Sequence, residues 1–415
     1  MILKKVKKNI FYFLTLVLVL QKASFSQFSD SRVADLRAQL DSILAPVKEA
    51  GITVSAKVMH GDYSKILYEY NPEIKMIPAS ITKLITSACA FNKLGQSYEF
   101  NTIVYTDDNN QTDGRISGNL YLKGFGDPDL SSEDIQKLAD ILSKSNIKEI
   151  TGNIVADETY FDNEYHGLAN YYSGDTGPSY WPYVNALALN KNNGNSNHAM
   201  DAASLLSSDL VSAGIIVDGT VISGSTPKGA KELARVSKSI YDVISNMDKE
   251  SDNHSAITIF KLLGAKLMSP PGTLDKGQQV VESFLSEIGV DRYSYEILEG
   301  SGLTRYNKVN ADLYIKLLKY MYDDRFLFDY YFNALSIAGK DGTLRNRMIG
   351  TEAEGNVHAK TGTLNGVSSL CGYVIDTDNE ILIFFIVMNG FGGSAKPMHT
   401  IQDDFCVALA HFSRK

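Results

Sequence analysis

A chain of 415 residues is longer than one hydrophobic core ordinarily fills, so two or three domains are expected. Hydrophobic residues make up 44% and charged residues 21%, which excludes a disordered or collagen-like chain. Lys+Arg total 40 against Asp+Glu 48, a net charge of −8, a balance that argues against a nucleic-acid partner.

In chain order, the first element is an address. Lys4, Lys5, Lys7 and Lys8 precede an apolar run from Ile10 to Leu20, followed by Ala23, Ser24 and Ser26. This is the pattern of a secretory signal over residues 1–26, with cleavage expected after Ser26 and an extracytoplasmic or periplasmic destination. The run is shorter than the ~20 residues of a membrane span, so an uncleaved anchor is the alternative and membrane association is peripheral at most. A helix follows from Asp30 or Ser31, apolar at Val33, Leu36, Leu40, Ile43 and Leu44. Ile52–His60 and Lys65–Tyr70 read as a β-hairpin, and Pro78-Ala79-Ser80 opens a second helix that Gly95 stops.

After Phe100 the texture changes to a β-α-β unit: a strand at Gly118–Lys123, a helix capped by Ser131 or Ser132, and a strand at Ile147–Ala156. An aromatic loop follows, with Tyr160, Tyr165, Tyr171, Tyr172, Tyr180, Trp181 and Tyr183. Rings packing onto their own domain are expected there, with glycan stacking as the alternative. Asn190–His198 is an Asn-rich joint. The chain closes with strands at Val357–Thr363, Val367–Ile375 and Glu380–Met388 and a helix over Met398–Phe412. No internal repeat is visible. Cys89, Cys371 and Cys406 sit among apolar residues, too few and too far apart for a disulfide framework, and no metal or cofactor site is expected.

Chemistry is carried by three short elements. Ser80-Ile81-Thr82-Lys83 opens an apolar helix, and a spacing of three sets hydroxyl and amine on one face, one turn apart. A desolvated lysine can serve as the base that makes a serine nucleophilic. S-x-x-K recurs at Ser145 and Ser225, where no apolar helix follows, so it is weak alone. Ser251-Asp252-Asn253 is the second element. Lys360-Thr361-Gly362-Thr363 is the third; it lies on a strand, and K-T-G occurs once in the chain. That order and those contexts form the set of penicillin-binding proteins and class A β-lactamases.

The interval from Ser80 to Ser251 is far longer than that from Ser251 to Lys360, so an extra domain sits between the first two elements. With Pro78-Ala79-Ser80, Gly126-Asp127-Pro128, Trp181-Pro182, Gly300-Ser301-Gly302-Leu303 and Asp341-Gly342-Thr343-Leu344, the chain resembles the D-Ala-D-Ala carboxypeptidase/endopeptidase family of class C low-molecular-mass penicillin-binding proteins. The resemblance implies an α/β (α+β) protein. A β-lactamase/transpeptidase-like catalytic domain, an antiparallel sheet flanked by helices, would take residues 27–98 and 239–415, with a smaller α/β domain inserted at 99–238. A third domain is expected to be missing or reduced.

By the same resemblance, Ser80 is the nucleophile, Lys83 its base and Ser251 a proton relay. Asn253 would hold the peptide amide, Lys360, Thr361, Gly362 and Thr363 the terminal carboxylate and the oxyanion, and Asp157 the side-chain amine of the substrate. A solvated loop carboxylate is the other reading of Asp157. Peptidoglycan stem peptides are the implied substrate and β-lactams covalent inhibitors, with no cofactor. The alternatives are a β-lactamase, for which Glu352–Asn356 is a poor match to E-x-x-L-N, and a catalytically idle cell-wall binding protein, which would need no Lys83. His254 is read as packing.

Overall fold

Segments from the two ends of the chain meet in one sheet. The computed structural model describes residues 30–108, 111–192 and 198–415, so the segment read above as a signal and part of the Asn-rich joint lie outside the described residues. Helix α1 (Asp30–Glu49) leads into the hairpin of β1 (Thr53–His60) and β2 (Ile66–Tyr70). A 3-10 turn, Ala79–Thr82, then runs into α2 (Lys83–Leu94), which Gly95 ends at φ 83°.

Between Glu99 and Ser239 the chain builds a second unit. It comprises β3 (Glu99–Thr106), β4 (Arg115–Ile116), β5 (Leu120–Gly124), α3 (Ser132–Lys144), β6 (Glu149–Ile150), β7 (Ile154–Asp157), α4 (His198–Ser212), β8 (Ile216–Val217), β9 (Val221–Ser223) and β10 (Lys231–Ser239). The return runs through α5 (Ile240–Glu250), α6 (Asn253–Leu267), α7 (Leu274–Glu287), the short pair β11 (Tyr295–Glu296) and β12 (Lys308–Val309), α8 (Ala311–Asp323) and α9 (Phe328–Ala334). It ends in β13 (Ser336–Ile337), β14 (Val357–Leu364), β15 (Val367–Ile375), β16 (Ile381–Asn389) and α10 (Lys396–Ala410).

The main sheet has the order β13-β14-β15-β16-β1-β2 and is antiparallel throughout. One face packs Val58, Phe384 and Ile386 against Leu40 and Leu44 of α1 and Phe405 and Leu409 of α10. The other packs Cys371, Tyr373 and Phe385 against Leu84 and Ala88 of α2 and Leu317 of α8. Because both faces are covered, residues 381–388 of β16 are a continuous apolar run rather than an alternating one. The expected fold class, an antiparallel sheet flanked by helices with an inserted α/β unit, is what the structure shows. The three cysteines are buried and free.

Two readings of the second unit change. The single strand expected at Ile147–Ala156 is two, β6 and β7, in different sheets. Internal repetition is also present. Arg115-Ile116-Ser117-Gly118-Asn119-Leu120, Glu149-Ile150-Thr151-Gly152-Asn153-Ile154 and Ile216-Val217-Asp218-Gly219-Thr220-Val221 each give a two-residue strand, a glycine crossing and a second strand. Equivalent strands pair in parallel as β4-β6-β8 and β5-β7-β9. The crossings touch: a Cβ on Gly152 would overlap the Gly118 carbonyl, and one on Gly219 the Gly152 carbonyl. The Asn119 side chain accepts from the Asn153 amide at 2.8 Å, and the Asn153 side chain from the Thr220 amide at 2.9 Å.

The aromatic loop also packs differently from expectation. Phe161, Tyr171 and Trp181 share a hydrophobic cluster with Phe260 and Leu262 of α6, so the rings join the two units rather than staying on their own.

Candidate active site

Ser80 sits in the 3-10 turn before α2, and the backbone that presents it is unusual. Ala79 has φ 51°, a left-handed conformation that costs a non-glycine residue about 1–3 kcal/mol and is held by its surroundings. Gly302 packs on the Ala79 carbonyl with no room for a Cβ, and Thr82 Oγ1 donates to the same carbonyl at 2.9 Å. Ser80 remains partly accessible while Ile81, Thr82 and Lys83 are buried.

Lys83 Nζ lies 3.1 Å from Ser80 Oγ, 2.7 Å from Asn253 Oδ1 and 2.8 Å from the Ser301 carbonyl oxygen. Two of these partners can only accept hydrogen bonds, and the third is a hydroxyl that can donate. A neutral amine has two hydrogens and one lone pair, so it satisfies the carbonyl oxygens and turns its lone pair to the Ser80 hydroxyl. Burial pushes Lys83 down to about 8, against Glu299, Asp248 and Asp252, which raise it. The geometry therefore suits a base.

Asn253 is the first residue of α6, whose N-cap Asp252 accepts from the Ser255 amide at 2.6 Å. Lys191 pairs with Asp252 at 3.4 Å from the second unit. Ser251 occupies the left-handed turn between α5 and α6 at φ 57°, and among the described residues no hydrogen bond joins its hydroxyl to Ser80 or Lys83. His254 is buried and pushed down to about 4 by that burial, which keeps it neutral and in a packing role.

Strand β14 supplies the opposite wall. Lys360 is fully buried and donates to the Thr361 carbonyl at 3.0 Å, and burial lowers its pKa. Two residues on, and so on the same face, Gly362 passes against the serine turn. A Cβ there would overlap Ser369 Oγ and stand 2.9 Å from the Ser80 amide nitrogen. The Thr361 hydroxyl donates to Thr343 Oγ1 at 2.8 Å, and Thr363 is exposed opposite Ser368 near the end of the strand. The structure thus gathers Ser80, Lys83, Asn253 and the Lys360–Thr363 strand.

Asp157 is not part of that gathering. It is fully buried, and its oxygens accept from Lys123 Nζ at 3.0 Å, the Thr159 hydroxyl at 2.6 Å and amide at 3.0 Å, and the Thr226 amide at 2.7 Å. A carboxylate whose lone pairs are spent inside the second unit offers none to a substrate amine, so both sequence readings of Asp157, substrate contact and solvated loop carboxylate, are replaced by a buried structural ion pair.

Two acids near Ser80 carry no motif and were missed. Glu299 is fully buried and accepts from the Ser301 amide at 2.6 Å and the Gly302 amide at 2.8 Å, fixing the loop that holds Lys83. An acid directly before Gly300-Ser301-Gly302 was the available signal. Asp248 is the other, fully buried on α5. The group of described residues placed to hold a metal ion is elsewhere, at His60, Asp376 and Glu380. Arg414 already engages both Glu380 oxygens at 2.6 and 2.7 Å, so a cation is in place.

The family model described as D-Ala-D-Ala carboxypeptidase 3 (S13) matches residues 36–198 and 195–411. A D-alanyl-D-alanine carboxypeptidase of Actinomadura sp. (strain R39) is 30% identical over 470 residues, 93% of this chain and 86% of that protein. The D-alanyl-D-alanine carboxypeptidase DacB of Haemophilus influenzae is 26% identical over 444 residues, 89% of this chain and 90% of its own. Among solved structures, penicillin-binding protein 4 of Haemophilus influenzae superimposes with a TM-score of 0.76 at 23% identity, covering 89% of this chain and 99% of that one, a likeness of fold. The match runs through both units and through every element that lines Ser80, and on that ground the chain belongs to the D-Ala-D-Ala carboxypeptidase 3 (S13) family of peptidases.

Proposed function

We propose that the protein is an exported, periplasmic or extracytoplasmic D-Ala-D-Ala carboxypeptidase and endopeptidase that hydrolyses peptidoglycan stem peptides through an acyl-enzyme on Ser80. The carrying observation is the Lys83 amine, buried, with its pKa lowered and its Nζ 3.1 Å from Ser80 Oγ. Lys83 takes the hydroxyl proton as Ser80 attacks the carbonyl of the penultimate D-alanine. Ser251, next to Asn253 in sequence, passes a proton to the departing amine once substrate orders its hydroxyl. The Ser80 and Thr363 amides hold the oxyanion; a donor in such a hole contributes ~100–1000-fold in rate. Asn253 holds the peptide amide, and Lys360, with Thr361 beside it, meets the terminal carboxylate. Water then releases the acyl group. A β-lactam amide mimics the scissile bond, and a homologous fold, penicillin-binding protein 4 of Haemophilus influenzae, has been solved with a β-lactam bound.

Residues 99–238 form the insertion in this reading, a frame around the cleft rather than part of the chemistry. The lactamase alternative finds little support: Glu354 is tied to Lys340 at 2.6 Å, and Glu352 and Glu354 belong to the turn before β14. Digestion of defined muropeptides with purified protein, read by mass, tests the proposal. Loss of the terminal D-alanine is expected, with Ser80→Ala inert and unlabelled by fluorescent penicillin. A wild-type protein that leaves every muropeptide intact overturns it.

A further inference from the structure

Asp248 lies one turn before Ser251. It is fully buried, and neither carboxyl oxygen has a hydrogen-bond partner. Native interiors rarely leave a carboxyl this way, because a buried charge without donors is costly. Ser87 of α2 lies beside it, yet the Ser87 hydroxyl hydrogen goes to the Lys83 carbonyl at 2.8 Å. Tyr331 of α9 is the other titratable neighbour, and it donates to the Leu84 carbonyl at 3.0 Å. The charges that act on Asp248 are Lys360 of β14 and Lys83 of α2, both fully buried.

Of the other charges on elements packed on α5, Asp329 of α9 and Lys266 of α6 have no ion pair among the described residues, and the following are matched. Asp252 before α6 pairs with Lys191, and Lys261 within α6 with Asp162. Asp341 before the Gly342–Leu344 turn pairs with Lys249, and Lys238 of β10 with Asp134. Asp248 is therefore a buried carboxyl without donors, under the charge of two buried amines to which the reading above gives roles in the reaction.

We propose that Asp248 is a positioning residue for acyl transfer: it is the shared counter-charge of Lys83 and Lys360, and it keeps Lys360 an ammonium able to meet the substrate carboxylate. The inference rests on the roles given to those lysines above. Burial drives Asp248 up and Lys360 down, and their mutual attraction opposes both movements. The cluster consequently exchanges its protons as a unit rather than as independent groups.

Asp248→Asn preserves shape and deletes the charge. Without the Asp248 charge both ammonium forms lose part of their stabilisation, Lys83 keeping that of Glu299 and Asp252, so both lysines give up their protons at lower pH. Acylation needs Lys83 free, so the rising limb of kcat/KM against pH should move toward acid. Binding a carboxylate needs Lys360 charged, so the falling limb should move the same way. Above neutrality a peptide ending in a carboxylate should lose ~10-fold in kcat/KM for each unit the falling limb moves. A thioester substrate without that carboxylate should show the rising-limb shift alone.

Wild-type labelling of Ser80 by penicillin comes first, so failure of the functional reading appears as absent labelling and failure of this inference as an unmoved profile. A folded Asp248→Asn protein whose two limbs coincide with the wild type overturns the proposal. If that variant does not fold, infrared titration of a buried carboxyl in wild type and Lys360→Met decides. Loss of the ammonium should move that signal to higher pH, and an unmoved signal overturns the proposal.

Discussion

Asp157 and Asp248 are both fully buried aspartates under the influence of lysines, and their surroundings treat them in opposite ways. In the second unit, Asp157 is fully buried with a lysine and three further donors from Thr159 and Thr226. Burial pushes its pKa up, but the hydrogen bonds from Thr159 and Thr226 outweigh that and hold it below the ordinary value. Asp248, under the charge of Lys360 and Lys83, is equally buried, its oxygens have no donors, and burial raises its pKa. Burial alone therefore does not mark a reactive group. The count of donors does: a saturated pair is structure, and an unsaturated one keeps its proton negotiable.

The largest break in that comparison is Lys83→Met. Base catalysis of this kind contributes ~100–10,000-fold, and the acylation rate with fluorescent penicillin should fall within that range. The thermal midpoint should hold or rise, because a buried amine has been replaced by an apolar side chain of similar length. A large loss of stability with near-normal acylation would place Lys83 with Asp157, among the structural charges. Next is Gly362→Ala. Its methyl group must displace the serine turn or β14, and the penalty expected is that of losing an oxyanion donor, ~100–1000-fold in acylation. Melting temperature should fall as well, because overpacking against buried backbone costs about 1–3 kcal/mol.

Asp157→Ala sharpens the contrast from the other side. It strands Lys123 and three donors, and should cost about 3 kcal/mol in urea unfolding, the lower end for a broken buried pair because Lys123 keeps some access to water. Acylation per folded molecule should stay at the wild-type rate. A selective rise in KM for amine-bearing peptides would instead bring Asp157 back to the substrate.

What the sequence displayed was chemistry written in short, ordered words. S-x-x-K before an apolar helix, S-D-N and K-T-G can be found without knowing the fold, because each word is local. Asp157 was misjudged because its donors are not local: Lys123 is 34 residues away and the Thr226 amide 69. Asp248 and Glu299 were invisible for a related reason, as a lone acid declares itself only when packing shows what surrounds it. The repeat escaped because its period is uneven. The step from Asn119 to Asn153 is 34 residues and that from Asn153 to Thr220 is 67. The third copy also replaces Asn with Thr.

The register of the main sheet sets an order in time. Strand β1 needs β16 as its neighbour, with Thr53 opposite Asn389, so the host sheet stays open at its centre until almost the whole chain is available. The layers of the insertion close over much shorter loops, and each new layer docks on the one before it. During synthesis the insertion can finish while β1 and β2 still wait. The Ser80 turn, which relies on β14 and β15 to hold it, is then among the last parts to be set, and the arrangement around Ser80 and Lys83 is complete only when the final strands arrive.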